Sequence, residues 1–273
     1  MKKLLLILFG FALSVSSYAL DIQVVAHRGV PDTIVENTAE SIAKAFELGA
    51  TWVETDFHHT KSGQMICIHC SKVLKELSGV DKKVCDLTPE DLKTINIGKK
   101  SKDGKIYRIP LLADILKLVP KNAILQAEIK GYSPQYADIF VKAIKDTNLK
   151  PSNFVISSFQ YDAIADFKKK YPEFQTMWLV ASSKFKDVNE LIALAKKINV
   201  KYIALGAKGA HKLDFAYAQK IRDAGIEMRM WGVQNLELLK HAVRLGATGF
   251  TTNHYKKMLD EYSKEIEVVK LLP

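Results

Sequence analysis

Three cysteines among 273 residues are too few to staple a small disulfide scaffold. Cys67 and Cys70 have the C-x-x-C spacing of zinc and redox sites, but Cys67 lies in the apolar run Met65 to His69. Residues three apart on a strand point to opposite faces, so this pair does not converge on a metal and Cys67 reads as a buried thiol. Cys70 with Cys85, closing a surface loop, is the pair that an oxidising compartment would favour. Apolar runs long enough to span a bilayer are also lacking. Leu4 to Ala12 follows Lys2-Lys3 and precedes Ser17-Tyr18-Ala19, the layout of a secretory signal with a small-x-small cleavage site. No cysteine near that site could accept a lipid. The sequence therefore predicts export, periplasmic or secreted, with the exported form starting near Leu20 and carrying no transmembrane segment. Internal repeats, low-complexity tracts and aromatic-basic stripes that would read nucleic acid are absent too.

What is present is a moderate basic surplus and a strong alternation. Removing Lys2 and Lys3 from the net charge of +10 leaves +8, scattered over predicted helices as a solvated surface that suits anionic partners. Short β-branched runs at Ile22 to Ala26, Thr51 to Phe57, Ala123 to Ile129, Phe154 to Ser158, Gln175 to Val180, Tyr202 to Leu205, Glu227 to Trp231 and Thr248 to Thr252 read as strands. Between most of them lie helix-period segments such as Ala39 to Leu48, Gln135 to Lys145 and Leu236 to Leu245. Gly49, Gly225 and Gly246 each follow a helical pattern where a left-handed cap is wanted. Alternation calls for a parallel sheet, and eight strands favour closure into a (β/α)8 TIM barrel spanning residues 20–273. A polar stretch, Ser71 to Pro110, reads as an insertion after the second barrel strand, with Thr88-Pro89-Glu90-Asp91 as its one helix signal.

In such a barrel the active site sits at the C-terminal strand ends, so charged residues closing apolar strands are informative. His27-Arg28 closes the first strand; Glu54 and Asp56 share one face of the second; Glu128 and Lys130 repeat that spacing on the third. Three carboxylates at one mouth would repel unless a cation lay among them, and all-oxygen ligation favours Mg²⁺ or Ca²⁺. If Ser62-Gly63 is a two-residue turn, Asp56 opposes His69, which brings a second imidazole to the same face. Two imidazoles beside a metal and an arginine can supply the base and acid of a displacement at phosphorus.

These residues fall into motifs. His27-Arg28-Gly29, Glu36-Asn37-Thr38, Glu54-Thr55-Asp56, Thr60-Lys61-Ser62-Gly63, Ile68-His69, Glu128-Ile129-Lys130, Ser157-Ser158-Phe159 and Trp231-Gly232-Val233-Gln234-Asn235 occur in the order seen in glycerophosphodiester phosphodiesterases. The resemblance runs from about Val24 to Asn253. It implies a metal-dependent barrel hydrolase that splits glycerophosphodiesters into sn-glycerol 3-phosphate and an alcohol. By the family's pattern His27 and His69 are the acid/base pair, and Glu54, Asp56 and Glu128 hold the metal. Arg28 and Lys130 contact phosphate, and Trp231 walls the glycerol pocket. Glu36 is expected to orient Arg28, while Asn37, with Glu40 three residues on, suits the N-terminus of the following helix.

The chain departs from the pattern twice, with Cys70 where an aspartate normally follows the hairpin histidine and Asn253 where the last strand normally ends in aspartate. Those losses motivate an alternative, a degenerate module that binds anionic envelope components. Another alternative is a phospholipase C or sphingomyelinase D-like enzyme acting on intact lipid. The lysine-rich insertion is compatible with weak membrane-surface contact. His58, His59, His211, His241 and His254 read as surface or packing residues.

Overall fold

The computed structural model describes residues 22–181, 184–210 and 214–270; the expected signal segment and His211 lie outside them. The chain folds as a (β/α)8 barrel. Its first half runs β1 (Gln23–His27), α1 (Ala39–Glu47), β2 (Trp52–His59), β3 (Met65–Cys67), α2 (Ser71–Ser78), α3 (Pro89–Thr94), α4 (Leu112–Leu116), β4 (Ile124–Ile129) and α5 (Tyr136–Lys145). The second half runs β5 (Phe154–Ser158), α6 (Tyr161–Lys170), β6 (Gln175–Val180), α7 (Val188–Lys197), β7 (Tyr202–Gly206), α8 (Ala207–Ala210), α9 (Phe215–Asp223), β8 (Glu227–Trp231), α10 (Leu236–Arg244), β9 (Gly249–Thr252) and α11 (Tyr255–Lys270). All barrel pairings are parallel, and β1 bonds to both β2 and β9, which closes the ring. β3 is antiparallel to β2 and lies outside it.

Side-chain alternation divides the core. Outward residues such as Val53, Phe57, Ala127, Ile156 and Phe250 meet the helices, where Phe140 of α5 stands among Phe57, Tyr136, Phe154 and Phe167. Full burial of each such ring contributes about 1.5–3 kcal/mol. Inward residues Val25, Trp52, Val155, Met177 and Tyr202 fill the barrel toward its N-terminal end. That packing leaves the C-terminal end for polar groups. Gly49, Gly225 and Gly246 adopt the positive φ that their positions after helices predict.

The segment after β3 is more than a polar excursion. It carries α2 and α3 around a separate small core of Ile68, Leu74, Val84, Leu92, Ile97 and Tyr107. Its periodicity is hard to read because the apolar residues are shared among short elements. Only α3 was signalled, and Thr88 caps it in a reciprocal capping box with Asp91. The lobe is rooted at the barrel mouth, where Cys67 N donates to Pro110 O at 2.9 Å. All three cysteines are free thiols, Cys67 fully buried. Among the described residues no helix is long and apolar enough to cross a membrane.

Candidate active site

β1 delivers His27, and the chain then turns through Arg28, whose φ of 58° is unusual for a side chain of that size. The turn is held by two backbone bonds, Arg28 N to Glu54 O and Asn37 N to Arg28 O. It brings Glu36 back to accept from Arg28 Nη1 at 2.9 Å, the orienting contact the sequence suggests. Asn37 departs from expectation. Thr38 caps α1, accepting from Ser41 N, so the Asn37 side chain is released from capping. At φ 57° and fully buried, it turns inward: Nδ2 donates to Asp56 Oδ2 at 2.7 Å, and Oδ1 accepts from Asp56 N and Thr55 Oγ1. Asn37 is therefore a bracket for the second strand.

Register brings three acids together. Asp56 of β2 pairs with Glu128 of β4, and Glu54 lies two residues earlier on the same face. Ligand oxygens of Glu54, Asp56 and Glu128 lie within 4.8 Å of one another, all buried. Two cations reach them. Arg28 Nε is 3.1 Å from Asp56 Oδ2, and Lys130 Nζ is 2.7 Å from Glu128 Oε1 and 3.3 Å from Asp56 Oδ1. Burial alone would raise the Asp56 pKa, but Arg28 and Lys130 hold it down to about 2. Burial and the charge of Asp56 push Glu54 well above the carboxylate range, and the same two causes push Glu128 up to about 7. Three acids thus face two side-chain cations, and Glu54 Oε1 has no hydrogen-bond partner. A hard divalent cation fits this donor set, since it offers buried carboxylate oxygens and an excess of negative charge.

His27 lies beside the acids, its Nε2 3.7 Å from Glu54 Oε2, while its Nδ1 meets Asn253 Oδ1 at 2.5 Å. An amide oxygen only accepts, so Nδ1 carries the proton and Nε2 the lone pair. Burial, with Arg28 adjacent, lowers the His27 pKa to about 4. His69 also reaches the site's field, but not by the expected pairing. The hairpin pairs His59 with Met65 and Phe57 with Cys67, and Thr60 N donates to Gln64 O. The loop is therefore three residues, Lys61 to Gly63, with Gly63 at φ 83° as such a loop requires, and Asp56 opposes Ile68 rather than His69. His69 follows the end of β3 and is free of its alternation. Burial lowers its pKa to about 4 against the pull of Asp56. His58, read as a surface residue, is half-buried with Nε2 3.1 Å from the His69 carbonyl. It shares the inward parity of Asp56, which was the signal for it.

Trp231 closes β8 at the mouth. Its Nε1 donates to Val180 O, and Phe159 packs edge-on at 5.3 Å between ring centroids. Phe159 is 40% exposed, so the pair offers an aromatic wall to solvent. His59 bonds Ser133 Oγ, and His254 pairs with Asp32 at 2.7 Å, tying the first loop to the start of α11.

Comparison with known proteins follows the same lines. The profile of the glycerophosphoryl diester phosphodiesterase family matches residues 27–257. A glycerophosphodiester phosphodiesterase of Caldanaerobacter subterraneus subsp. tengcongensis is 35% identical over 156 residues, which span 55% of this chain and 63% of that relative. Among solved structures, the glycerophosphodiester phosphodiesterase of Thermotoga maritima superposes with a TM-score of 0.71 at 24% identity, covering 88% of this chain and 97% of that one. An Oleispira antarctica phosphodiesterase solved in complex with the product sn-glycerol-3-phosphate has a TM-score of 0.76 at 19% identity, covering 88% and 96%.

Proposed function

The chain belongs to the glycerophosphoryl diester phosphodiesterase family, and we propose that it hydrolyses glycerophosphodiesters to sn-glycerol 3-phosphate and an alcohol by a metal-dependent, two-histidine mechanism. The observation that carries this reading is the convergence of three buried acids, two cations and His27 at one barrel mouth. A fold neighbour holding sn-glycerol-3-phosphate supports that product. The leader-like first nineteen residues support action outside the cytoplasm.

Glu54, Asp56 and Glu128 would hold Ca²⁺ or Mg²⁺, which supplies positive charge for the phosphoryl oxygens. Arg28 and Lys130 grip the phosphate from the same rim. His27, with Nδ1–H committed to Asn253, accepts the proton of the glycerol 2-hydroxyl at Nε2 as that oxygen attacks phosphorus. His69, protonated once the anionic phosphate lies beside it, gives that proton to the departing alkoxide. Water then opens the cyclic phosphate with the two imidazoles exchanging roles. Trp231 and Phe159 wall the carbon skeleton of glycerol. Asn253 keeps a hydrogen bond to His27, which argues against the degenerate binding module.

The test is release of glycerol 3-phosphate from glycerophosphocholine and glycerophosphoethanolamine, with Ca²⁺, with Mg²⁺ and with chelator. Metal-stimulated release is expected, reduced about 10²–10⁴-fold in His27→Ala. Full activity in chelator would remove the metal from the reading. Silence on both diesters would move the substrate to intact lipid. A binding readout accompanies it: Ca²⁺ or Mg²⁺ raises the melting temperature, and Glu54→Gln loses most of that rise.

A further inference from the structure

The second lobe carries a feature that the hydrolytic site does not use. Between Ile97 and Arg108 the chain leaves the small core, makes a compact loop and returns. Ile97 N donates to Tyr107 O, and both side chains are buried. Asn96 Oδ1 accepts from the backbone of Gly98 and Tyr107, which pins the two ends together. Within the loop Asp103 accepts from Ser101 Oγ, Lys105 N and the Tyr107 hydroxyl, so its one carboxylate is tied up internally. The loop is thus folded by its own bonds.

It presents Lys99, Lys100, Lys102, Lys105 and Arg108, all exposed, against that single acid. Lys105 lies 3.7 Å from Asp103, whereas Lys99, Lys100 and Lys102 have no carboxylate partner among the described residues. In their midst Ile106 is 64% exposed, more than any other large apolar side chain described. A solvated lysine face does not call for an aliphatic side chain held out among its charges. Cations around an apolar tip match the two layers of an anionic bilayer, headgroup phosphate outside and acyl chain beneath. A nucleic acid fits less well, because the loop's one aromatic, Tyr107, is buried and unable to stack on a base.

We propose that loop 98–108 docks the protein on anionic phospholipid surfaces, its lysines meeting headgroup phosphates and Ile106 entering the interface. The lobe that carries the loop grows from the barrel mouth, Cys70 following His69 directly. The inference does not depend on the chemistry at the mouth, and it is tested without turnover.

The protein is recovered after export, because the apolar run at residues 4–12 would bind lipid on its own account. Co-sedimentation is measured with vesicles of phosphatidylcholine alone and with vesicles containing about one-third phosphatidylglycerol, at low and high salt. Binding is expected only to the anionic vesicles and only at low salt. At about fivefold per lysine, the Lys99→Gln/Lys100→Gln/Lys102→Gln variant should bind about 100-fold more weakly. Ile106→Ser should weaken binding about tenfold. Both variants should melt as the parent does. Equal affinity for neutral vesicles, no vesicle binding, or undiminished binding by the triple variant would overturn the proposal. Tighter capture of a duplex oligonucleotide than of the anionic vesicles would overturn it as well.

Discussion

Two arginines sit in this barrel, Arg28 half-buried at the mouth and Arg229 buried toward the other end, and they are held by different physics. Arg28 at the mouth lies against Asp56 and Glu36, and although burial opposes its charge, those carboxylates raise its pKa. Arg229, on β8 and facing the N-terminal end, has Nη2 without a hydrogen-bond partner. Its guanidinium carbon lies 3.9 Å from the Trp52 ring centroid and 5.4 Å from that of Tyr202. Burial lowers its pKa to about 10, which still leaves it charged at neutral pH. One end concentrates ions that a further ion can rearrange. The other spreads a single charge over aromatic faces and fills space.

The largest expected contrast comes from one substitution made at both ends. Arg28→Met strands Glu36 without its cation and leaves Asp56 with Lys130 alone, and should cost about 3 kcal/mol of stability and reduce turnover about a thousandfold. Arg229→Met removes a buried charge that Glu227 favours from a distance but that makes no carboxylate ion pair among the described residues, so stability should change by no more than about 1 kcal/mol, with turnover intact. Urea unfolding and glycerol 3-phosphate release measure both. Similar losses in the two variants would erase the distinction drawn between the ends.

An intermediate effect isolates the packing at the floor. Gly249 faces Arg229, and a Cβ added there would lie 2.0 Å from Nη2 and 2.4 Å from the guanidinium carbon. Gly249→Ala should cost about 1–3 kcal/mol by overpacking, and adding Arg229→Met should recover most of it. Strictly additive losses in the double variant would show that the arginine and the glycine are not coupled.

The smallest effect concerns the charged rim. Cys70 is the N-cap of α2 and makes no side-chain capping bond. Cys70→Asp supplies one and should add about 1 kcal/mol, read as a rise in melting temperature. A fall instead would mean that the mouth, already over-acidic, does not tolerate another carboxylate.

The barrel was legible because its signals are local. Phe154–Ser158, Gln175–Val180 and Glu227–Trp231 begin and end where their apolar runs do. The site's acids were legible for the same reason, since alternation along one strand puts Glu54 and Asp56 on one face. What escaped depended on a single residue of register or on a competitor for the same bond. The hairpin loop is one residue longer than the Ser62-Gly63 turn implies, so His69 arrived at the site by a different route. Thr38 took the capping bond for which Asn37 was equally suited, and no property of Asn37 itself records that outcome. The lobe's core escaped because residues as distant as Ile68 and Ile109 meet in it.

The bond between His27 and Asn253 joins residues 226 apart in sequence. It crosses the seam where β1 meets β9, the first barrel strand against the last. A growing chain cannot make it until nearly the whole barrel has been synthesised, and β1 keeps an open edge until then. The pairings from β1–β2 through β7–β8 can all form earlier. The imidazole whose tautomer this bond sets is therefore oriented at the moment the ring shuts, so the appearance of activity during refolding would serve as a clock for barrel closure.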